Sequence, residues 1–201
     1  MRLIPNLLSA AVLAFVVVCW IAFVAFFFLR KNPHDGEAEF ERKSVPSSRI
    51  GIAMQGLAYA IIWAAHRPYF TPFVEVGTAG EIVLAILTAA LAAGSVWFVV
   101  AAARELGREW SLTARVVEGH RLVTAGPYRY VRHPIYTGML GMLLATALAV
   151  GHWLALPFAV FVYTLGTLVR VRAEERLLRE TFGERFEDYA RRVAAFVPGL
   201  L

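Results

Sequence analysis

The sequence contains a single cysteine, Cys19, which lies within an uncharged apolar stretch. Without a second cysteine an intrachain disulfide is excluded, and a thiol in apolar surroundings ionises poorly. Cys19 is therefore predicted to be a packing residue. The chain also lacks metal-ligand spacing, a phosphate-binding glycine loop, internal repeats and low-complexity tracts. These absences argue against metal-dependent chemistry and against a phosphate-loop nucleotide site.

Charged residues are scarce too, at 17% of the chain, whereas 59% of its residues are hydrophobic. Soluble domains use roughly 45 to 50% apolar residues. The excess arrives in blocks rather than as the alternating pattern of a soluble core, and the mean hydropathy is +0.60. Lipid must solvate these blocks, so residues 1–201 are predicted to form a single integral membrane domain.

Five apolar blocks occupy residues 3–29, 50–65, 82–103, 135–150 and 153–169. The first stops at Arg30 and Lys31 without a small-residue cleavage site, so it is expected to be a retained span rather than a signal peptide. Three blocks are shorter than the typical span of about 20 residues and need their flanks or burial against neighbours. The prediction is an all-α fold with about five transmembrane helices, the last two forming a tight hairpin at Gly151 and His152.

Eighteen of the 20 basic residues fall in the first connection, the third connection and the tail after residue 169. The positive-inside rule then places these segments in the cytoplasm and the N-terminus outside. Topology and anionic lipid explain the net charge of +5, so no nucleic-acid partner is expected. The alanine- and arginine-rich composition suggests a bacterial inner membrane. The tail 173–195 is expected to be one amphipathic helix on the membrane surface or against the third connection.

The run HRLVTAGPYRYVRHPIYTG, residues 120–138, is polar and aromatic and leads directly into the fourth apolar block. It could be a helix start at His133-Pro134 flanked by interfacial tyrosines and headgroup-binding arginines. A second polar group, Arg170, Glu174 and Glu175, follows the fifth block and could be only a helical ion pair. A short hairpin, however, would return both groups to one cytosolic surface. That surface would be a pocket where a water-soluble cofactor meets a lipophilic substrate.

These two motifs, with RVRAEERLLRETFGERFEDYARRV at residues 170–193 and a closing Phe196-Val197-Pro198, resemble the isoprenylcysteine carboxyl methyltransferase family and its phospholipid methyltransferase relatives. The resemblance covers about the last hundred residues. It implies a cofactor-binding region at 104–201 behind N-terminal transmembrane helices at 1–103, with S-adenosylmethionine as cofactor. The implied cofactor contacts are His120, Leu122, Val123, Tyr128, His133, Tyr136, Glu174 and, more weakly, Glu175, with Arg170 turned toward the substrate.

The chemistry of these residue types fits the implied roles, with Arg170 and Glu174 as the candidate catalytic pair. An activated methyl group chiefly needs alignment with its acceptor. A carboxylate acceptor has a pKa of about 3.3 to 3.7 and needs no base, only a bidentate donor such as Arg170. Glu174 can accept from ribose hydroxyls or an ammonium, and tyrosine faces such as those of Tyr128 and Tyr136 suit adenine or a sulfonium.

The expected acceptor is therefore the carboxylate of a prenylated or otherwise lipophilic molecule that enters from the bilayer. Three alternatives remain open. One is a phospholipid N-methyltransferase, and another is a membrane scaffold without enzymatic activity. The third is an NADPH-dependent reductase of the sterol reductase type, which shares an Arg-His-Pro-x-Tyr element but has an Asp-Glu-x-x-Cys pattern where this chain has Glu174-Glu175 and no cysteine.

Overall fold

Six α-helices and one 3-10 turn make up the computed structural model, which describes residues 7–29, 47–67, 77–107 and 121–197. The helices are α1 (Leu7–Leu29), α2 (Ser47–Ala64), α3 (Gly77–Leu106), α4 (Pro134–Val150), α5 (Ala155–Phe182) and α6 (Glu184–Ala190), and the 3-10 turn is Gly126–Arg129. The described ranges contain no β-strand. The predicted all-α class is confirmed.

Three of these helices, α1, α3 and α5, are long and apolar enough to cross a membrane. Helix α4 is apolar but has only 17 residues, and α2 has 18. Large apolar side chains such as Ile86, Trp97 and Phe158 are more than half exposed, as expected of surfaces that face lipid. The chain is an integral membrane protein, while the total of five spans stays a prediction.

The helices associate through small residues. Helix α5 packs chiefly on α2, and α4 packs chiefly on α3. A Cβ atom at Gly138 would lie 2.4 Å from Val99 Cγ2, and one at Gly141 would lie 2.1 Å from Ser95 Oγ. Helices within lipid gain most of their association energy from such close approach. Although α4 and α5 follow one another in a hairpin, each therefore rests mainly on an earlier helix.

The tail does not form the single amphipathic helix predicted for residues 173–195. Helix α5 continues to Phe182 and ends at Gly183, whose φ of 50° lies in the left-handed region that side chains disfavour. Helix α6 then runs only to Ala190. The prediction of one continuous helix is wrong because periodicity alone does not register a glycine that can reverse the chain.

Beyond α6 the chain folds back onto the segment that precedes α4. Val131 and Ala194 form an isolated parallel bridge. The backbone N–H of Arg132 donates to Ala194 O and that of His133 to Ala195 O, both at 2.8 Å. The tail therefore packs on the third connection, one of the two positions expected for it, and fixes where α4 begins.

Candidate active site

The site lies at the cytosolic end predicted for α4 and α5, and its position follows from local backbone chemistry. Pro134 occupies the first turn of α4, where its missing N–H has no helical partner to lose. His133 immediately precedes it and accepts from the backbone N–H of Tyr136 at 3.0 Å. On α5, Arg170 and Glu174 are one turn apart and share a face. The two helices thus bring the two sequence motifs into contact.

Glu174 is the centre of a buried polar cluster, formed with His133, Tyr136 and Arg170. The Tyr136 hydroxyl donates to Glu174 Oε1. His133 Nδ1 lies 3.3 Å from Glu174 Oε2, and Arg170 Nη2 lies 3.5 Å from Oε1. The Glu174 side chain keeps 22% of its surface exposed, whereas those of His133 and Arg170 keep under a tenth. Glu174 is therefore the member of this cluster that a soluble ligand can reach most easily.

Glu175 points into a different set of contacts, and its side chain is only 7% exposed. Its Oε1 accepts from Arg132 Nε at 2.8 Å and lies 3.3 Å from His133 Nε2. Its Oε2 accepts from Arg179 Nη2 at 3.1 Å. Both carboxylate oxygens of Glu175 thus contact basic side chains next to them, two of which are arginines. Glu175 joins α5 to the segment before α4.

Arg132 extends this junction to the tail. Besides its bond to Glu175, its Nη1 donates to the carbonyl of Ala190 at 2.9 Å and to that of Val193. From the sequence, Arg132 was predicted only as one of the arginines that bind lipid headgroups. A carboxylate and two backbone carbonyls use the fork of donors that arginine provides. Arg132 thus holds three chain segments together beside the cluster.

His133 bridges the two adjacent acids, because each of its ring nitrogens faces one carboxylate. Only the doubly protonated imidazolium can donate to both. Burial by itself would lower the pKa of His133, but the hydrogen bonds and charges of Glu174 and Glu175 outweigh it and raise that pKa. The cationic form is thus favoured next to the two carboxylates.

Arg170 is held on several sides. Its guanidinium carbon lies 4.8 Å from the centre of the Tyr136 ring, within cation–π distance. Its Nη1 donates to Gln55 Oε1 on α2 at 3.2 Å, and Gln55 Nε2 in turn donates to Thr167 Oγ1 at 2.9 Å. Gln55 was not among the residues predicted from the sequence. Its one available signal was a polar side chain inside an apolar block, where such residues are costly.

The remaining predicted residues lie outside the cluster. Leu122 and Val123 are half-buried on the segment that leads to the 3-10 turn. Tyr128 is buried within that turn, and its carbonyl accepts from the Tyr189 hydroxyl at 2.6 Å. His120 lies outside the described residues. The structure thus gathers four of the nine predicted residues in the cluster, joins Glu175 to it through His133, and places three on the segment before α4.

Across the described part of the chain, no group of three or more histidine, cysteine, aspartate or glutamate side chains could hold a metal ion. The two acids are instead bonded to arginine, histidine and tyrosine donors. The arrangement is suited to binding a polar organic ligand beside an apolar phase.

Fold and cluster together define a helical membrane protein with a polar site at the end of its apolar helices. Residues 83–185, half of the chain, match the sequence profile of the phospholipid methyltransferase family. This protein belongs to that family. The matched residues include the whole His133, Tyr136, Arg170 and Glu174 cluster.

Individual relatives confirm the resemblance to isoprenylcysteine carboxyl methyltransferases. Protein-S-isoprenylcysteine O-methyltransferase B of Arabidopsis thaliana is 38% identical over 40% of this chain and 41% of its own length. The cobalt-zinc-cadmium resistance protein CzcN of Cupriavidus metallidurans is 40% identical over 47% of this chain and 44% of its own. Methanethiol S-methyltransferase of Pseudomonas deceptionensis is 39% identical over 36% and 27%. The chain thus spans less than half the length of these relatives.

Proposed function

We propose that this protein is an S-adenosylmethionine-dependent membrane methyltransferase that esterifies the carboxylate of a prenylated or otherwise lipophilic acceptor. The observation that carries the proposal is the buried Glu174 cluster, which pairs a reachable carboxylate with a guanidinium at the end of apolar helices. Similarity to an isoprenylcysteine O-methyltransferase supports the acceptor class. Residues 104–201 would then supply the cofactor site and residues 1–103 the membrane helices beside it.

The chemistry of the site fits this cofactor. When bound, S-adenosylmethionine supplies a methyl group that is already activated on a sulfonium. Glu174, kept anionic by the donors around it, would accept hydrogen bonds from the ammonium or the ribose hydroxyls. Tyr136 is already in contact with His133 and Arg170 through its ring. Its contribution would therefore come through the hydroxyl that holds Glu174 in place. Leu122, Val123, Tyr128 and His120 remain proposed contacts on the approach.

The acceptor would be oriented by Arg170. A carboxylate is anionic at neutral pH and needs no general base, and the bound cofactor would supply the activated methyl group for one of its oxygens. Arg170 would hold both acceptor oxygens in position for that group. The apolar part of the acceptor would remain in lipid, which a site at a helix end allows.

Cofactor identity is tested by calorimetric titration of the detergent-solubilised protein with S-adenosylmethionine and, separately, with NADPH. We expect saturable binding of S-adenosylmethionine only. Binding of NADPH alone would favour a reductase like those that share the Arg-His-Pro-x-Tyr element. If neither ligand binds, a non-enzymatic scaffold becomes the better explanation.

Acceptor class is tested by Arg170→Lys. The lysine keeps the positive charge but loses the bidentate fork. Methyl transfer to a carboxylate should fall about a hundredfold, while S-adenosylmethionine affinity stays within about threefold, because only acceptor alignment is damaged. Arg172→Lys, on an exposed position of the same helix, is the matched control. Labelled cofactor is supplied with a prenylcysteine, an isoprenoid acid or phosphatidylethanolamine.

The product distinguishes the two acceptors within the family. Base-labile methyl ester is the expected product. A protonated amine would instead be repelled by Arg170 and would need a base before attack. Base-stable N-methyl lipid, formed equally well by the lysine variant, would rule out the carboxylate acceptor but not methyl transfer itself.

A further inference from the structure

Gln55 is a buried polar residue within the apolar stretch of α2 that begins at Ile50. It lies on α2 with 2% of its surface exposed. Burying a carboxamide in such surroundings without hydrogen-bond partners costs from about 1 to several kcal/mol of free energy. Side chains of this kind inside membrane helices mark functional positions more often than surface ones do. The contacts of Gln55 show which function it serves.

Both ends of the Gln55 amide are used, and both partners are on α5. The carbonyl oxygen accepts from Arg170 Nη1 at 3.2 Å, and the NH2 group donates to Thr167 Oγ1 at 2.9 Å. Thr167 and Arg170 are three residues apart and so share one face of the helix. This pairing fixes the orientation of the amide, because a flipped amide would present its NH2 group to the guanidinium, which has no acceptor.

The stem of Arg170 is fixed by the same helix pair. A Cβ atom at Gly51, one turn before Gln55, would lie 2.4 Å from Arg170 Cγ and 2.6 Å from Gly166 O. The arginine side chain therefore passes α2 at Gly51, whose missing side chain leaves room for it. Its head reaches Gln55 on one side and Glu174 on the other, at 3.2 Å and 3.5 Å. Gln55 is the neutral partner, so it positions the guanidinium without cancelling its charge.

We infer that Gln55 is a positioning residue for the acceptor: it holds Arg170 in the orientation that recognises a lipophilic carboxylate. This inference rests on the proposed function. It also assigns part of acceptor recognition to the N-terminal half of the chain, since Gln55 lies outside the matched residues 83–185. Acceptor recognition would then draw on both halves of the molecule, with Gln55 on α2 and Arg170 on α5.

The test measures binding of N-acetyl-S-farnesylcysteine and of its uncharged methyl ester to the full-length protein in detergent. Wild type should prefer the acid. Gln55→Met preserves volume but removes both amide contacts, and it should reduce the acid-to-ester affinity ratio about tenfold. Gln55→Glu keeps an oxygen facing Arg170, but its negative charge offsets that of the guanidinium. This variant should reduce the acid-to-ester affinity ratio at least as far. S-adenosylmethionine affinity should stay within about twofold in both variants.

Thr167→Val separates positioning from helix packing. It removes the other hydrogen bond of Gln55 while leaving the Arg170 contact in place, so the acid-to-ester ratio should remain close to that of wild type. A ratio that falls as far in Thr167→Val as in Gln55→Met would show a packing role and overturn the inference. So would an unchanged ratio in both Gln55 variants, or a wild type without preference for the acid.

Methyl transfer is followed in parallel with labelled cofactor. An inactive wild type that nonetheless prefers the acid, with the preference lost in Gln55→Met, would refute the proposed function and support the inference. An active wild type whose acceptor KM and acid preference are unaffected by Gln55→Glu would support the proposed function and refute the inference about Gln55. The two proposals therefore fail separately.

Discussion

Adjacent acids in this site have different surroundings although they differ by one position. Glu174 is partly exposed and faces Tyr136 and Arg170, whereas Glu175 is buried between Arg132 and Arg179. One residue along a helix rotates a side chain by about 100°, which is enough to turn it from a partly exposed position to a packed junction. The pair therefore combines one partly exposed carboxylate with one that joins segments.

Replacing Glu174 should consequently affect the cofactor rather than the fold. Glu174→Gln removes the anionic acceptor, and charge-assisted hydrogen bonds are worth about 1.5 to 3 kcal/mol. S-adenosylmethionine affinity should fall about tenfold to a hundredfold in calorimetric titration. Tyr136→Ala should weaken it as well. Glu184→Gln, on an exposed position of α6, is the control and should bind normally. Normal affinity in both site variants, with intact folding, would refute the assignment of the cluster.

His133 should make stability depend on pH. Its pKa is raised in the folded protein by Glu174 and Glu175 despite burial, so its contribution is complete below the ordinary histidine pKa of about 6.5. The contribution is lost as pH rises through the higher folded value. The difference in Tm between wild type and His133→Gln should thus be largest near pH 6 and shrink as the pH rises.

The same measurement on His152→Gln provides the comparison. His152 lies beyond the other end of α4, stacked on Trp153, away from both carboxylates. A Tm difference for His133→Gln that grows with pH, or that tracks the one for His152→Gln, would contradict a cationic His133 in the folded site.

At the scale of elements, the contact between α2 and α5 holds the site together. Gly51 and Gly166 face each other there: a Cβ at Gly166 would lie 2.7 Å from Met54 Cβ and 2.9 Å from Gly51 O. Backbones this close exclude a side chain at either position. Because the Arg170 side chain also lies against Gly51, packing of the two helices and placement of the guanidinium both depend on that glycine.

Gly51→Ala should therefore damage stability and site together. The added methyl group overlaps Arg170 and the α5 backbone, and overpacking typically costs about 1 to 3 kcal/mol. We expect a lower Tm and reduced acceptor affinity. Gly56→Ala on the same helix is the control, since its Cβ would meet nothing within 4 Å. It should be neutral or slightly stabilising, by up to about 1 kcal/mol. Equal effects of both alanines would argue against a specific contact at Gly51.

Much of this arrangement was predictable from hydropathy and motif, and the exceptions have physical causes. The five apolar blocks predicted α1 to α5, and the hairpin correctly brought His133 and Tyr136 to Arg170 and Glu174. The pairing of α2 with α5 was not predicted, since helix partners within lipid depend on close contacts between residues far apart in sequence. Gln55 was missed for the same reason.

At the scale of the whole molecule, polar chemistry and basic charge gather at one end of the helices. The segment before α4 and the part of the chain after residue 169 carry most of the described arginines, whereas the connection between α4 and α5, residues 151–154, contains no lysine or arginine. The outward surface of the spans is apolar. A lipophilic acceptor could thus approach along the bilayer while a soluble cofactor arrives from the basic side.

The basic side is predicted to be the cytoplasm, because positively charged connections are retained there. The orientation is tested by single cysteines in a Cys19→Ala background, labelled in intact cells with a membrane-impermeant maleimide. Thr181→Cys, at the exposed end of α5, should react only after permeabilisation. Trp153→Cys, whose tryptophan is 58% exposed on the opposite connection, should react from outside. Both variants should retain S-adenosylmethionine binding, since neither residue belongs to the Glu174 cluster. The reverse labelling pattern would place the cluster on the outer face, where a cytosolic cofactor could not reach it, and would contradict the proposed methyltransferase even if the fold were correct.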